Sequence, residues 1–295
     1  METIVLKFGG TSVGSTDRIS VVADLIHLAT KEAFPVVVVS AMSGETNRLI
    51  DLAQSFGSDP NKREFDALVS TGEKVSASLV AIALNQLGLK AKSLSAAQFG
   101  MKTTSHFSRA KILDMNNDIL FQTIEEGYIP IITGFQGITA NGDTTTMGRG
   151  GSDTTAVAIA ASIKAKRCDI YTDVDGIYTT DPRIVPEAKK LDSISMEEML
   201  ELSGQGAKVI QIRAVEFANK YKVLVRVLSS FEPGSGTLIL QEEEGMEDAV
   251  ITGIASQTDQ TKFTLHGVAD TPGIASGILS PISNEGIDCL LYTSD

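Results

Sequence analysis

The sequence predicts an α/β protein, a mainly parallel sheet with helices on both faces. Three observations carry this prediction. First, "TIVLKF" (Thr3–Phe8), "PVVVVS" (Pro35–Ser40), "YIPIITG" (Tyr128–Gly134), "CDIYTD" (Cys168–Asp173) and "KVLVRVLSS" (Lys222–Ser230) are short apolar, β-branched runs. Such near-continuous runs suit strands buried on both faces. Second, helix-patterned stretches alternate with them, which is the arrangement of parallel strands joined by crossovers. Third, polar or glycine-bearing loops follow several of these strands, where open parallel sheets bind their ligands.

Taken in order, Thr3–Phe8 reads as a strand and "GGTSVGS" as the loop behind it. From Asp17 to Glu32, Ile19, Val22, Ala23 and Ile26 recur at helical spacing. Pro35–Ser40 is the second strand. A helical region follows, strongest from Phe65 to Leu87, and then a short strand near Lys90–Leu94. "TTAVAIAASIKA" is the helix behind the loop "MGRGGSDTT" (Met147–Thr155). After Leu240 the stretch "QEEEGMEDA" is acidic and poorly patterned, and we read residues 241–248 as a linker. The remaining segment, residues 249–295, opens like a small α+β module with the order strand, strand, helix, strand.

Composition narrows the function. Net charge is −12, which argues against nucleic acid as a partner, because phosphate backbones are held by basic surfaces. A small anionic substrate remains compatible if cations gather in one cleft. Cys168 and Cys289 are too far apart in sequence to make a C-x-x-C pair or a disulfide framework. His27, His106 and His266 have no neighbours at metal-ligand or triad spacing, and no metal-ligating residues are expected. The longest unbroken apolar runs are short, and no basic-plus-apolar leader is recognisable, so the expectation is a cytoplasmic protein without a membrane partner.

Three loops carry candidate chemistry. "KFGGTSVG" (Lys7–Gly14) is neither a Walker loop nor a dinucleotide fingerprint, yet Gly9 and Gly10 offer backbone N–H groups to phosphate, with Lys7 supplying charge. A tight strand-to-helix turn is the plain alternative. In "MGRGGSDTT", Gly148, Gly150 and Gly151 allow close backbone approach, and Ser152 and Asp153 suit helix N-cap positions. The positive end of the following helix and the planar guanidinium of Arg149 both favour an anion there. In "YTDVDGIYTTDPR" (Tyr171–Arg183), Thr172, Asp173 and Tyr178 suit contact with an adenosine and Arg183 contact with phosphates, although Asp-Gly and Asp-Pro are also ordinary turn formers. Glu73 and Lys74 in "STGEKVSAS" read most simply as a surface pair, and Lys208, after two glycines at a helix start, as a solvated lysine.

The segments "KFGGTSVG", "GFQGITANGDTTTMGRGGSDTTA" and "YTDVDGIYTTDPR" resemble the signature segments of the aspartate kinases, in the amino-acid kinase superfamily. The resemblance runs from about Thr3 through Leu240, and "ITGIA…DTPGIAS" is similar to the start of the regulatory ACT region of that family. It implies ATP- and Mg²⁺-dependent phosphorylation of the side-chain carboxylate of L-aspartate to 4-phospho-L-aspartate, the first committed step toward lysine, methionine and threonine. It further implies that Lys7, Gly9 and Gly10 hold the transferring phosphates. Ser40, Thr46 and Glu73 would line the aspartate pocket. Arg149, flanked by Gly150 and Gly151, would take the α-carboxylate, Ser152 would position the reacting carboxylate, and Glu73 or Asp153 would balance the ammonium. Thr172, Asp173, Tyr178, Asp181, Pro182 and Arg183 would surround ATP, with Lys208 reaching its phosphates. Lys7, Asp153 and Lys208 form the expected catalytic set.

On the same resemblance, residues 1–240 form the kinase domain and residues 249–295 an incomplete ACT domain. Two complete ACT modules would bind feedback lysine or threonine and support a homo-oligomer. In this sequence the first module breaks off at Asp295, and "LLYTSD" departs from the expected continuation.

Overall fold

The computed structural model describes residues 2–207, 209–241, 253–256, 261, 263–269, 271 and 273–284. Strand β1 (Thr3–Phe8) leads through α1 (Thr16–Ala29) to β2 (Phe34–Val39), and then to α2 (Glu45–Gln54), α3 (Lys62–Val69), α4 (Thr71–Gln86) and β3 (Ala91–Leu94). Next come α5 (Ala96–Phe99), β4 (Met101–Thr103), β5 (Ile112–Met115), α6 (Asp118–Glu125) and β6 (Ile129–Thr133). After β7 (Gln136–Ile138) and β8 (Thr144–Thr146), helix α7 (Gly151–Ser162) returns the chain to β9 (Cys168–Thr172). The series ends with β10 (Ser193–Ser195), α8 (Met196–Gly204), α9 (Ile212–Tyr221), β11 (Val225–Ser229), β12 (Thr237–Leu240) and α10 (Ile274–Asn284).

Eight strands form the main sheet in the order β10-β12-β11-β9-β1-β2-β6-β3. The run from β11 to β3 is parallel throughout, β12 lies antiparallel to β11, and β10 closes that edge parallel to β12. All five strands expected from the apolar runs are present in this sheet, as is the short one near Leu94. Strand alternation divides each run between two cores. Ile4, Leu6, Phe8, Val37 and Val39 face α1 and α4, where Ile19, Val22, Ile26, Val80 and Leu84 pack against them. Val5, Val36 and Val38 face the other way, toward Ala156, Val157 and Ile159 of α7. Helix α7 is buried from Gly151 through Ala160, so its apolar character on every side matches a helix with no solvent face.

The sequence reading needs four corrections. The helical region Phe65–Leu87 is two helices, α3 and α4, meeting at Ser70. Residues 62–86 are long and apolar enough in composition to cross a membrane, but the inner face of α4 is spent on the core beneath the sheet. A second, four-stranded sheet, β5-β4-β7-β8, was not anticipated, because its strands are three or four residues long and rich in threonine and glycine. Helix α7 is capped by Gly150 in the left-handed region, which puts Ser152 and Asp153 inside its first turn and not at its N-cap. The helix start expected near Lys208 falls later, since α8 ends at Gly204 and α9 begins at Ile212.

By internal contacts the chain divides into two units, Met1–Ser256 and Gln257–Asp295. Within the first, the Ile254 N–H donates to the Thr179 carbonyl at 2.7 Å. In the second, α10 carries Pro281 inside the helix. Most of the expected linker, Cys289 and the expected final strand lie outside the described residues.

Candidate active site

A cleft of about 350 Å³ opens at the carboxyl ends of β1, β2 and β6. Its walls come from the loop after β1 (Lys7, Gly10), the loop after β2 (Ser40 to Gly44, with Thr46), Glu73 of α4, and Phe135. The fourth wall is the segment Gly148–Asp153 at the start of α7. Every residue expected in the aspartate pocket therefore lines one cleft: Ser40, Thr46, Glu73, Arg149, Gly150, Gly151, Ser152 and Asp153.

Lys7 gets its place from strand parity. It shares the Val5 face of β1, under α7, and sits at the strand end where the sheet gives way to the cleft. Its ammonium lies 2.7 Å from Asp153 Oδ1, with both residues buried. At that distance the two form a close buried ion pair, and no other partner takes the ammonium's remaining donors among the described residues. The first turn of α7 adds backbone N–H groups, which have no partners inside the helix, and the positive end of its dipole.

Glu73 is 3% exposed, and the surface pairing with Lys74 expected from sequence does not form; Lys74 is exposed on its own. Glu73 Oε1 accepts the Ala41 N–H at 3.1 Å, while Oε2 is buried without a partner. Burial pushes the carboxyl pKa up to about 7, against the smaller opposing pull of backbone N–H groups. The neighbouring Ser76 hydroxyl donates to the Ser40 carbonyl at 2.6 Å and so ties α4 to the loop after β2. Arg149 is exposed at the mouth of the cleft, and no ion pair holds it among the described residues. The cleft thus offers an uncommitted guanidinium, an unpartnered carboxylate oxygen and an ammonium paired with Asp153 alone.

The residues expected around the nucleotide lie along the same sheet edge. The Gly9 N–H donates to the Tyr171 carbonyl at 3.2 Å, and the Ser230 N–H donates to the Thr172 carbonyl at 3.0 Å, so Thr172 lies beside the loop after β1. The Thr172 hydroxyl donates to Asp173 Oδ1 at 3.1 Å. Farther out, the Tyr178 hydroxyl donates to Asp175 at 2.8 Å, which holds the phenol above its ordinary pKa. Arg183 pairs with Asp181 at 2.8 Å, with Pro182 exposed between them. None of these loop residues lines the 350 Å³ cleft, and Lys208 lies outside the described residues. Among the described residues, no group of three or more His, Cys, Asp or Glu side chains converges as a metal cage.

Sequence reasoning singled out Gly148 for close backbone approach but missed Ala41, Met42, Ser43, Gly44 and Phe135 as lining residues. "SAMSG" directly after a buried strand was a readable signal, since ligand loops follow strand ends. Phe135 carried no such signal. A second cleft of about 410 Å³, lined by Glu2, Thr30, Glu32, Phe34, Lys90 and Ile129 among others, lies at the opposite strand ends and holds none of these groups.

Comparison with known proteins adds independent findings. Residues 2–229 match the model of the amino acid kinase family. An aspartate kinase of Pseudomonas fluorescens is 53% identical over 292 residues, covering 98% of this chain and 71% of that protein. The structure of E. coli aspartokinase III in complex with aspartate and ADP, in its R-state, matches at a TM-score of 0.76 with 32% identity, over 83% of this chain and 66% of that one. The structure of the same enzyme with lysine and aspartate, in its T-state, matches at 0.82 with 29% identity, over 100% of this chain and 77% of that one. The chain belongs to the amino acid kinase family and, within it, to the aspartate kinases.

Proposed function

We propose that this chain transfers the γ-phosphoryl group of ATP to the side-chain carboxylate of L-aspartate, giving 4-phospho-L-aspartate and ADP. The observation that carries the reading is the set of charges gathered in the cleft: Arg149 without an ion partner, Glu73 with a bare oxygen, and Lys7 paired with Asp153 alone. An amino acid with two carboxylates and one ammonium complements that set. Arg149 takes the α-carboxylate as a planar fork, and Glu73 balances the ammonium. Ser152 and the N–H groups opening α7 orient the reacting carboxylate.

The chemistry needs no general base. A side-chain carboxylate with a reference pKa of about 3.9 is already ionised at neutral pH. One carboxylate oxygen forms the new O–P bond, the bond from the γ-phosphorus to the bridging oxygen breaks, and ADP leaves with that electron pair. Alignment and charge neutralisation supply the catalysis. Lys7, with the Gly10 N–H, neutralises the transferring phosphates, while the Gly9 N–H is already given to the Tyr171 carbonyl and Gly9 serves the turn. In this reading Lys208 assists from the far side, and Thr172, Asp173, Tyr178, Asp181, Pro182 and Arg183 surround the nucleotide. Mg²⁺ would keep much of its water and rest largely on the substrate phosphates. Mg²⁺ bound in that way supplies further charge neutralisation at the phosphates.

We extend the reading to the rest of the chain. Residues 1–240 act as the kinase domain in the cytoplasm, residues 241–248 link it to the start of an ACT-like module, and the product feeds lysine, methionine and threonine synthesis. Lysine is a feedback ligand by analogy with the lysine-bound E. coli aspartokinase III, and a complete ACT region supports a homo-oligomer.

Hydroxylamine trapping of the acyl phosphate, with Mg-ATP and L-aspartate, glutamate, N-acetylglutamate or UMP, tests the reaction. A hydroxamate formed with aspartate alone is expected. Folded, ATP-binding protein that gives no aspartate hydroxamate would refute the reading.

A further inference from the structure

Helix α3 carries a carboxylate that the reaction does not use. Asp66 is wholly buried, and its two oxygens accept four hydrogen bonds from two distant segments. Oδ2 accepts the Thr146 N–H at 2.7 Å and the Ser108 N–H at 2.8 Å. Oδ1 accepts the Thr146 hydroxyl at 3.0 Å and the Ser108 hydroxyl at 3.1 Å. Thr146 is the last residue of β8, and the segment it launches is Met147-Gly148-Arg149-Gly150.

That segment is also gripped from the other side. Arg213 of α9 donates to the Met147 carbonyl at 2.8 Å and to the Ala110 carbonyl at 3.4 Å. The Met147 N–H donates to the Phe135 carbonyl, and the Ala110 N–H donates to the Thr146 carbonyl, each at 2.9 Å. Beyond this anchor the chain turns through two left-handed glycines, Gly148 at φ 74° and Gly150 at φ 72°, before the Gly151 N–H closes onto the Gly148 carbonyl at 3.1 Å. A side chain at Gly150 would collide with Gln211, and one at Gly148 would press on the Ser108 carbonyl. Ser108 is itself held at φ 65°, a region a serine adopts only when its surroundings enforce it. Arg149 is thus the middle residue of a short turn, and Asp66 and Arg213 fix its incoming end.

We propose that Asp66, with Arg213 opposite it, is the positioning residue for amino-acid recognition: it sets the angle at which Arg149 enters the cleft, and touches no substrate itself. The inference rests on the aspartate reading above. An amide of the same size keeps its oxygen for the two N–H groups and can donate to the two hydroxyls once they rotate, so what Asp66→Asn removes is the charge that strengthens all four bonds. Asp66→Asn therefore loosens the turn with little change in volume.

The test is steady-state kinetics on the full chain, crossing Asp66→Asn with Arg149→Ala. Asp66→Asn should raise KM for aspartate about tenfold, the equivalent of one or two lost charge-assisted hydrogen bonds. KM for ATP and kcat should move by less than about twofold. On the Arg149→Ala background the same substitution should add almost nothing, because there is no guanidinium left to misplace. Arg213→Ala, at a half-buried site, should behave alike and carries the test should Asp66→Asn fail to fold. Equal damage to KM for ATP and to kcat, or a KM effect that simply multiplies with that of Arg149→Ala, overturns the proposal while wild-type activity stands. Wild-type protein that makes no aspartate hydroxamate overturns the aspartate reading, and this proposal with it.

Discussion

The two ends of the main sheet both bury charge, and they treat it in opposite ways. At the amino ends of the strands, Asp169 is 1% exposed and wholly satisfied. Arg167 donates to it at 2.8 Å, and Arg226 donates through two nitrogens at 3.0 and 2.7 Å. Arg167 also grips Glu32, and that hydrogen bond, ahead of any other cause, lowers Glu32 to a pKa of about 2. The same contact raises the already high pKa of Arg167. At the carboxyl ends, Glu73 keeps a bare oxygen, Lys7 is paired with Asp153 alone, and Arg149 has no ion partner among the described residues. A buried charge that is fully hydrogen-bonded holds the fold together. One left incomplete is a stored cost that a ligand can relieve.

The sharpest way to break this comparison is to remove a charge from each end. Lys7→Ala should lower kcat by about a thousandfold, the scale seen when one preorganised charge stabiliser is lost, an effect on turnover that outweighs the stability lost by leaving Asp153 buried without its cation. Asp169→Asn should do the reverse. Leaving the half-buried Arg226 without its carboxylate, and the buried Arg167 with Glu32 alone, should cost about 3 kcal/mol, or roughly 10 °C in melting temperature, at unchanged KM for aspartate. If Asp169→Asn impaired aspartate use as strongly as Lys7→Ala, the division between the two ends would be lost. Arg149→Ala should fall next, raising KM for aspartate about thirtyfold through the lost charge-assisted fork, with kcat less affected.

The two ends should also respond to pH with opposite sign. Glu73 is raised in the folded state from an ordinary value of 4.5 to about 7. The folded chain therefore binds more protons than the unfolded one between those values, and this contribution to stability falls as pH rises from about 4.5 to about 7. Glu73→Gln removes the penalty, so its advantage in stability should be small at pH 5 and grow to about 3 kcal/mol by pH 8. Glu32 is lowered, so its contribution is present above about 4.5 and fades as the pH falls toward 2. Being half exposed it contributes less, and Glu32→Gln should flatten only the acid limb of the melting curve.

Much of the fold was legible because the central strands are buried on both faces and announce themselves as β-branched runs. The second sheet was not. "MKT", "QGI" and "TTT" are too short and too polar to show a period of two. At the site, the glycines around Arg149 advertised themselves, since little besides a close backbone approach or a left-handed turn requires them. The burial of Glu73 was hidden by Lys74 beside it. Adjacent residues on a helix point about 100° apart, so neighbouring opposite charges belong to different environments, the glutamate inside and the lysine in solvent. Asp66 was beyond reach for another reason. Its partners lie 42 and 80 residues away, and a single aspartate in the otherwise amphipathic "KREFDALV" looks like part of a solvated face until the fold closes over it.

The account's central claim is that the bare carboxylate of Glu73 waits for the ammonium of aspartate. Calorimetric titration of aspartate into the wild type and Glu73→Gln at pH 7, in two buffers of different ionisation enthalpy, reads the protons released on binding. With Glu73 near pH 7 half protonated when free and fully ionised beside a bound ammonium, the wild type should release about half a proton and Glu73→Gln none. Aspartate that binds without releasing a proton, or that releases the same amount from both proteins, would contradict it.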